Sequence, residues 1–254
     1  REIRNILDQV IMCQNLRCAG TEDTEIGIVD VNKYIQDAKI NLPTSSTGAA
    51  QKILTGEEEL DQLIGLSVVK RMVRKIKAYA KRNQGLADFN LHMCFYGNPG
   101  TGKTMIARFM ARVYHSLGLL SKGTLTEVDR SGLVAGYIGQ TAIKTSKVIE
   151  SAMGGVLFID EAYTLTSKTE NDFGYEAVDT ILKAMEDSRA DLVVIVAGYT
   201  DLMEKFIDSN PGLRSRFNKY IDFADYTADE MFAIFKLNCS KSFYVLDSAA
   251  EDKI

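Results

Sequence analysis

The run Gly97-Asn98-Pro99-Gly100-Thr101-Gly102-Lys103-Thr104 constrains this chain more than any other feature. It has the spacing G-x-x-x-x-G-K-[ST] in full. Such a run curls successive backbone N–H groups around a phosphate, and side chains at the glycine positions would obstruct that approach. An apolar stretch, 91–96, precedes it and a helical pattern over 104–117 follows. The loop therefore leads from a buried strand into a helix whose N-terminus faces the same anion. Lys103 is expected to reach the β- and γ-phosphates of a nucleotide, and Thr104 to set its hydroxyl on Mg²⁺. Asn98, Pro99, Gly100, Thr101, Gly102 and Met105 complete the expected nucleotide-contacting stretch.

A second chemical signal is Val156-Leu157-Phe158-Ile159-Asp160-Glu161. Four apolar residues in a row read as a strand buried on both faces. Two carboxylates at its C-terminal end sit where open α/β sheets bind ligands. Asp160 is expected to join the Mg²⁺ shell and Glu161 to orient and deprotonate an attacking water. Further apolar runs at 125–128, 192–197 and 220–223 alternate with helical patterns at 141–153, 175–189 and 227–238. That alternation predicts a parallel sheet flanked by helices.

The chain has 254 residues, 46% hydrophobic and 25% charged, which suits globular folding. Its net charge of -4 argues against a nucleic-acid partner. The helical pattern over 66–83 carries a basic face, Lys70, Arg71, Arg74, Lys75, Lys77, Lys81 and Arg82, which reads first as solvated surface. Cys13, Cys18, Cys94 and Cys239 form no C-x-x-C pair, and with His92 and His115 as the only histidines a zinc site is not expected. Reduced thiols, no apolar run of membrane-spanning length and no signal-peptide pattern predict a cytoplasmic protein. A chain opening at Arg1 is expected to be a fragment. The Pro, Ser, Thr and Gly-rich stretch 41–48 reads as a linker, and Thr55 with Glu58 as a capping box.

Residues 60 to about 240 resemble AAA+ ATPases, in the branch containing CbbX (the red-type Rubisco activase) and stage V sporulation protein K. The resemblance rests on LIGL at 63–66, CFYGNPGTGKT at 94–104, EVDRSGLVAGYIGQTAIKT at 127–145, GGVLFIDEAYTL at 154–165 and VIVAGYTDLMEKFIDSNPGLRSRF at 194–217. It implies an α/β, P-loop AAA+ three-layer sandwich with a central parallel five-stranded sheet. The expected division is an N-terminal helical segment and linker at 1–52, the nucleotide-binding core at 53–224, and the start of a C-terminal helical lid at 225–254. The lid of this class carries a second sensor arginine in a Gly-x-Arg stretch, which this sequence lacks, so the lid is expected to be incomplete.

The resemblance also implies site residues. Tyr137, Ile138 and Gly139 resemble the aromatic–hydrophobic–glycine pore loop that grips a client polypeptide, with Gly132 and Gly136 supplying its flexibility. Ile64 and Gly65 resemble the segment closing over adenine. Arg214 and Arg216 resemble the arginine-finger region, Arg216 being favoured. Thr200 falls near the polar sensor.

Three functions compete. The leading one is a Mg²⁺·ATP-driven remodelling ATPase working as a homo-hexamer on an unidentified client protein. The second is a nucleotide-gated assembly switch with slow hydrolysis and no threading. The third, a nucleic-acid motor, is disfavoured by the acidic balance.

Overall fold

A computed structural model describes residues 25–26, 60, 62–82, 90–137, 139–167, 173–242 and 244–246. The linker 41–48 and the Thr55–Glu58 capping pair lie outside these residues. Five strands form one parallel sheet: β1 (Met93–Gly97), β2 (Leu125–Val128), β3 (Val156–Ile159), β4 (Val193–Gly198) and β5 (Tyr220–Phe223), in spatial order β2-β3-β4-β1-β5. All residues of β3 and β4 are buried, as continuous apolar strands in the middle of a sheet must be. The edge strands differ. β5 alternates, with Ile221 and Phe223 buried and Tyr220 and Asp222 exposed, and β2 is only partly covered.

The flanking helices are α1 (Ser67–Arg82), α2 (Lys103–Ser116), α3 (Arg130–Leu133), α4 (Thr141–Ala152), α5 (Gly174–Asp187), α6 (Thr200–Asp208) and α7 (Pro211–Arg216). A 3-10 turn covers Ala162–Thr166. α1 buries Val69, Val73 and Ile76 and leaves Arg71, Arg74 and Lys75 exposed. α5 buries Val178, Ile181, Leu182 and Met185 on one face, the spacing of an amphipathic helix against a sheet. Three of these helices lie where no helix or strand is expected from the sequence: α3, α6 and α7. α3 begins at Asp129, whose carboxylate accepts from the Gly132 N–H at 3.0 Å. α7 begins at Asn210, whose side chain accepts from the Gly212 N–H at 2.7 Å, with Pro211 in its first turn.

Residues Leu66–Asp225 belong to one compact unit, and Gln62–Gly65 with the residues from Tyr226 onward to another. The second unit holds α8 (Ala228–Lys241), which opens with a reciprocal capping box. The Thr227 hydroxyl accepts from the Glu230 N–H at 3.2 Å, and the Glu230 carboxylate accepts from the Thr227 N–H at 2.9 Å. It also holds a two-residue parallel pairing of Glu25–Ile26 with Val245–Leu246. Among the described residues no helix is long and apolar enough to cross a membrane.

His92 is 5% exposed just before β1, and its Nδ1 accepts from the Val194 N–H of β4 at 2.9 Å. It thus ties two central strands at the N-terminal edge of the sheet. Burial pushes its pKa down to about 4, opposed by a hydrogen bond to the Met185 backbone and assisted by the charges of Lys219 and Arg216. Folding therefore favours neutral His92, whereas the unfolded chain takes up the proton near pH 6.5. Its contribution is fully present above about pH 6.5 and is lost as pH falls toward 4. A shift of this size corresponds to about 3 kcal/mol. Urea unfolding of wild type and His92→Gln at pH 7 and pH 5 should show wild type losing about 2 kcal/mol more than the variant over that interval.

Candidate nucleotide site and the loop beside it

The site is built at the C-terminal edge of the sheet, where β1, β3 and β4 end. Gly97 closes β1 with φ 143°, and a Cβ there would stand 2.4 Å from the Phe223 carbonyl oxygen of β5. Only glycine allows the two strands to lie this close while the chain turns into the loop. Gly102 has φ 91°, a left-handed value that suits glycine, and caps α2. No side chain caps that helix and its first turn holds no acidic residue, so its N-terminal N–H groups and dipole are left to an external anion.

Lys103 Nζ donates to the carbonyls of Gly97 at 2.8 Å and Asn98 at 2.7 Å, so the ammonium is folded back along the loop. Burial lowers its pKa, while the nearby carboxylates of Asp160 and Asp225 raise it. The Thr101 hydroxyl donates to the Asn98 carbonyl at 2.7 Å, closing the turn. Asn98 donates through Nδ2 to both carboxylate oxygens of Asp225, at 3.1 and 2.9 Å. Thr104 is half-buried, while Pro99, Gly100 and Met105 are exposed.

Asp160 follows β3 directly, and its Oδ1 accepts from the Glu161 N–H at 3.0 Å. Glu161 is exposed and has φ 49°, a conformation few residues other than glycine adopt. Its carbonyl accepts from the Thr164 N–H at 2.9 Å and the Thr164 hydroxyl at 2.8 Å, which holds the turn in place. Tyr163 lies beside it. Burial and then the Glu161 charge raise that phenol's pKa, and its ring faces Tyr199 with centroids 6.3 Å apart. Thr200 begins α6 just after β4 and is exposed at this same edge. The donor set fits a nucleotide with its metal: an uncapped helix N-terminus and a lysine for phosphate, a hydroxyl and a carboxylate for a hard cation.

Arg214 and Arg216 sit elsewhere. They end α7, immediately before β5, and Tyr220 of β5 is in register with Cys94 at the start of β1. The Arg216 carbonyl accepts from Asn90 Nδ2, ahead of β1. Both arginines therefore lie at the N-terminal edge, one strand length of roughly 16 Å from the loop. Arg214 pairs with Asp208, and Arg216 with Glu186 at 3.3 Å. The Arg214 side chain is 66% exposed against 28% for Arg216, whose Nε is buried with no hydrogen-bond partner among the described residues.

Tyr137 is 74% exposed. Among the described residues, and chain neighbours aside, no atom lies within 4 Å of a Cβ built at nearby Gly136 or Gly139. Gly132 is different from the sequence expectation: it lies inside α3 with its N–H held by Asp129, so it supplies no flexibility. Ile138 lies outside the described residues. The base of the loop is pinned. Thr141, fully buried, accepts at Oγ1 from the Ala135 N–H at 3.0 Å, and Lys144 Nζ donates to the carbonyls of Ser131 and Val134. The Thr145 hydroxyl donates to the Leu133 carbonyl at 3.1 Å. Ile64 and Gly65 belong to the second unit. Gly65 has φ 65°, and a Cβ there would stand 2.6 Å from the Glu230 carboxylate. Asp225 is not legible from the sequence, because it meets Asn98 from a distant segment, and nothing in the residue pattern singles out Tyr163 or the Lys144 clamp although both lie near their partners in the chain.

Among known proteins, the AAA family, described as "ATPase family associated with various cellular activities", matches residues 93–225. Protein CbbX of Cereibacter sphaeroides is 52% identical over 70% of this chain and 60% of its own length. Stage V sporulation protein K of Bacillus subtilis (strain 168) is 43% identical over 78% and 64%. The chloroplastic ribulose bisphosphate carboxylase/oxygenase activase of Cyanidioschyzon merolae (strain NIES-3377 / 10D) is 47% identical over 76% and 69%. This chain thus spans about two thirds of the length of such relatives. A closed-state cryo-EM reconstruction of Hsp104 with ATPγS and FITC casein shares the fold at TM-score 0.50 and 23% identity, over 74% of this chain and 32% of that one.

Gly97→Ala should force β1 and β5 apart and destabilise the protein by about 1–3 kcal/mol, read as a lower urea midpoint. The same substitution at Gly136, where the Cβ meets nothing, should leave the midpoint within about 0.5 kcal/mol of wild type. The strand order, the matched family and these relatives agree: the chain belongs to the AAA ATPase family, in the branch of CbbX and stage V sporulation protein K.

Proposed function

We propose that this chain is a Mg²⁺·ATP-dependent ATPase that assembles into a ring, a homo-hexamer, and remodels a client protein in the cytoplasm. The observation carrying this reading is the division of the candidate machinery between two edges of one sheet. Lys103, Thr104, Asp160, Glu161 and Thr200 share the C-terminal edge, while Arg214 and Arg216 stand at the other. A chain so arranged offers its arginines to a neighbour's site rather than to its own. Its relatives also support remodelling: one is by name an activase of ribulose bisphosphate carboxylase/oxygenase.

In this mechanism the Gly97–Thr104 loop and the α2 N-terminus bind the phosphates, with Lys103 on the β- and γ-phosphates. Thr104 and Asp160 hold Mg²⁺, which would supply charge neutralisation on the phosphoryl oxygens. Glu161 orients the attacking water and takes its proton. Thr200 contributes a polar contact beside the γ-phosphate. The neighbour's arginine, Arg216 or Arg214, stabilises the charge of the transferring group. Tyr137, with Ile138 and Gly139, contacts client chain without reading its sequence, since an exposed aromatic on a glycine-bounded loop packs on any polypeptide. Residues 1–52 and 225–254 are proposed as an N-terminal segment and a lid flanking the core.

The test is ATP hydrolysis per subunit against protein concentration. The rate should rise cooperatively and fall by about 10²-fold or more in Glu161→Gln, which still binds ATP. Arg214→Ala and Arg216→Ala are compared in parallel. The finger is the one whose loss lowers turnover about 10³-fold with nucleotide affinity kept. ATP binding with no turnover at any concentration would instead support a nucleotide-gated switch. Tyr137→Ala should hydrolyse ATP yet fail to remodel the client, and full remodelling by that variant would refute threading.

A further inference from the structure

Arg130 is the first residue of α3, directly ahead of the pinned backbone 131–135 at the base of the Tyr137 loop. Its Nη1 does not turn toward solvent. It donates to the Thr164 carbonyl at 2.6 Å, crossing to the 3-10 turn that follows Glu161. The space it crosses is shaped for it: a Cβ on Gly174, at the start of α5, would stand 2.8 Å from this Nη1 and 2.0 Å from the Leu165 carbonyl oxygen. Thr164 in turn holds the Glu161 carbonyl through both its N–H and its hydroxyl. On the other side, the Asp129 carboxylate caps α3 through the Ser131 hydroxyl at 2.6 Å and the Gly132 N–H at 3.0 Å. These bonds hold its pKa below the usual carboxylate range.

A continuous hydrogen-bonded path therefore runs from Glu161 through Thr164 and Arg130 into α3, and from there to the loop. Beside it lies an open surface cleft of about 480 Å³, lined by Val134, Ala135 and Gly136 at the loop end and by Glu161 and Thr164 at the other. The Arg130–Thr164 bond spans the two walls of this cleft. Glu161 stands at φ 49°, a sparsely populated conformation, with its carbonyl held by these same bonds.

We propose that Arg130 is a positioning residue that couples the nucleotide-facing Glu161 turn to the Tyr137 loop. This rests on the proposed ATPase reading. The coupling is reciprocal: a nucleotide that shifts the Glu161 turn changes the loop, and a chain held at Tyr137 changes nucleotide affinity by the same factor.

Hydrogen exchange of the amides of residues 134–137, with and without ATPγS, tests the assignment alongside nucleotide affinity. In wild type, ATPγS should change exchange by about fivefold or more, and in Arg130→Met that change should shrink below about twofold while ATPγS still binds. Arg130→Lys, which keeps one donor, should recover part of the response. A full response in a folded Arg130→Met protein overturns the proposal. If that variant does not fold, Thr164→Val removes one of the two bonds to the Glu161 carbonyl and should weaken the response, and an undiminished response there overturns it equally. A wild type that binds ATPγS with no change at 134–137 sinks this coupling alone, whereas one that binds no nucleotide sinks the ATPase reading beneath it.

Discussion

The closeness of β1 and β5 at Gly97 is the constraint on which the site depends. A side chain there would strike the Phe223 carbonyl, so the strands could not stay paired to the point where the phosphate loop begins. Because β1 and β5 remain in register to that point, Asn98 meets Asp225 just beyond β5, and Lys103 folds onto the loop's own carbonyls. The nucleotide-facing geometry is thus a property of the sheet edge as much as of the loop.

Much of the fold was legible in the sequence. The unbroken apolar runs of β3 and β4 indicated strands covered on both faces, and they occupy the middle of the sheet. The helical periods of α1, α2, α4 and α5 locate those helices to within two residues. The short helices were harder. α7 carries a readable start, Asn210 followed by Pro211, and α6 buries Met203, Phe206 and Ile207 at helical spacing. Both signals are brief, and a stretch of nine residues or fewer gives periodicity little to act on. α3 is shorter still and exists because Asp129 caps it.

The candidate site divides in the same way. The glycine loop, Asp160 and Glu161 lie in contiguous stretches whose chemistry can be read along the chain. The left-handed backbone of Glu161, the Arg130–Thr164 bond and the Lys144 clamp involve residues that a linear reading cannot pair. Nor does sequence alone show that Gly132, one of several glycines near Tyr137, is a helical residue at which an added Cβ would stand 3.4 Å from the Val128 Cβ.

The pinned base of the Tyr137 loop bears on how such a protein could do mechanical work. Thr141, Lys144 and Thr145 all project from the first turns of α4, and together they hold the backbone from Ser131 to Ala135. If the chain is the remodelling ATPase proposed above, α4 would be the handle of a short tool, and the stroke of Tyr137 would be set by the displacement of the folded body rather than by slack in the loop.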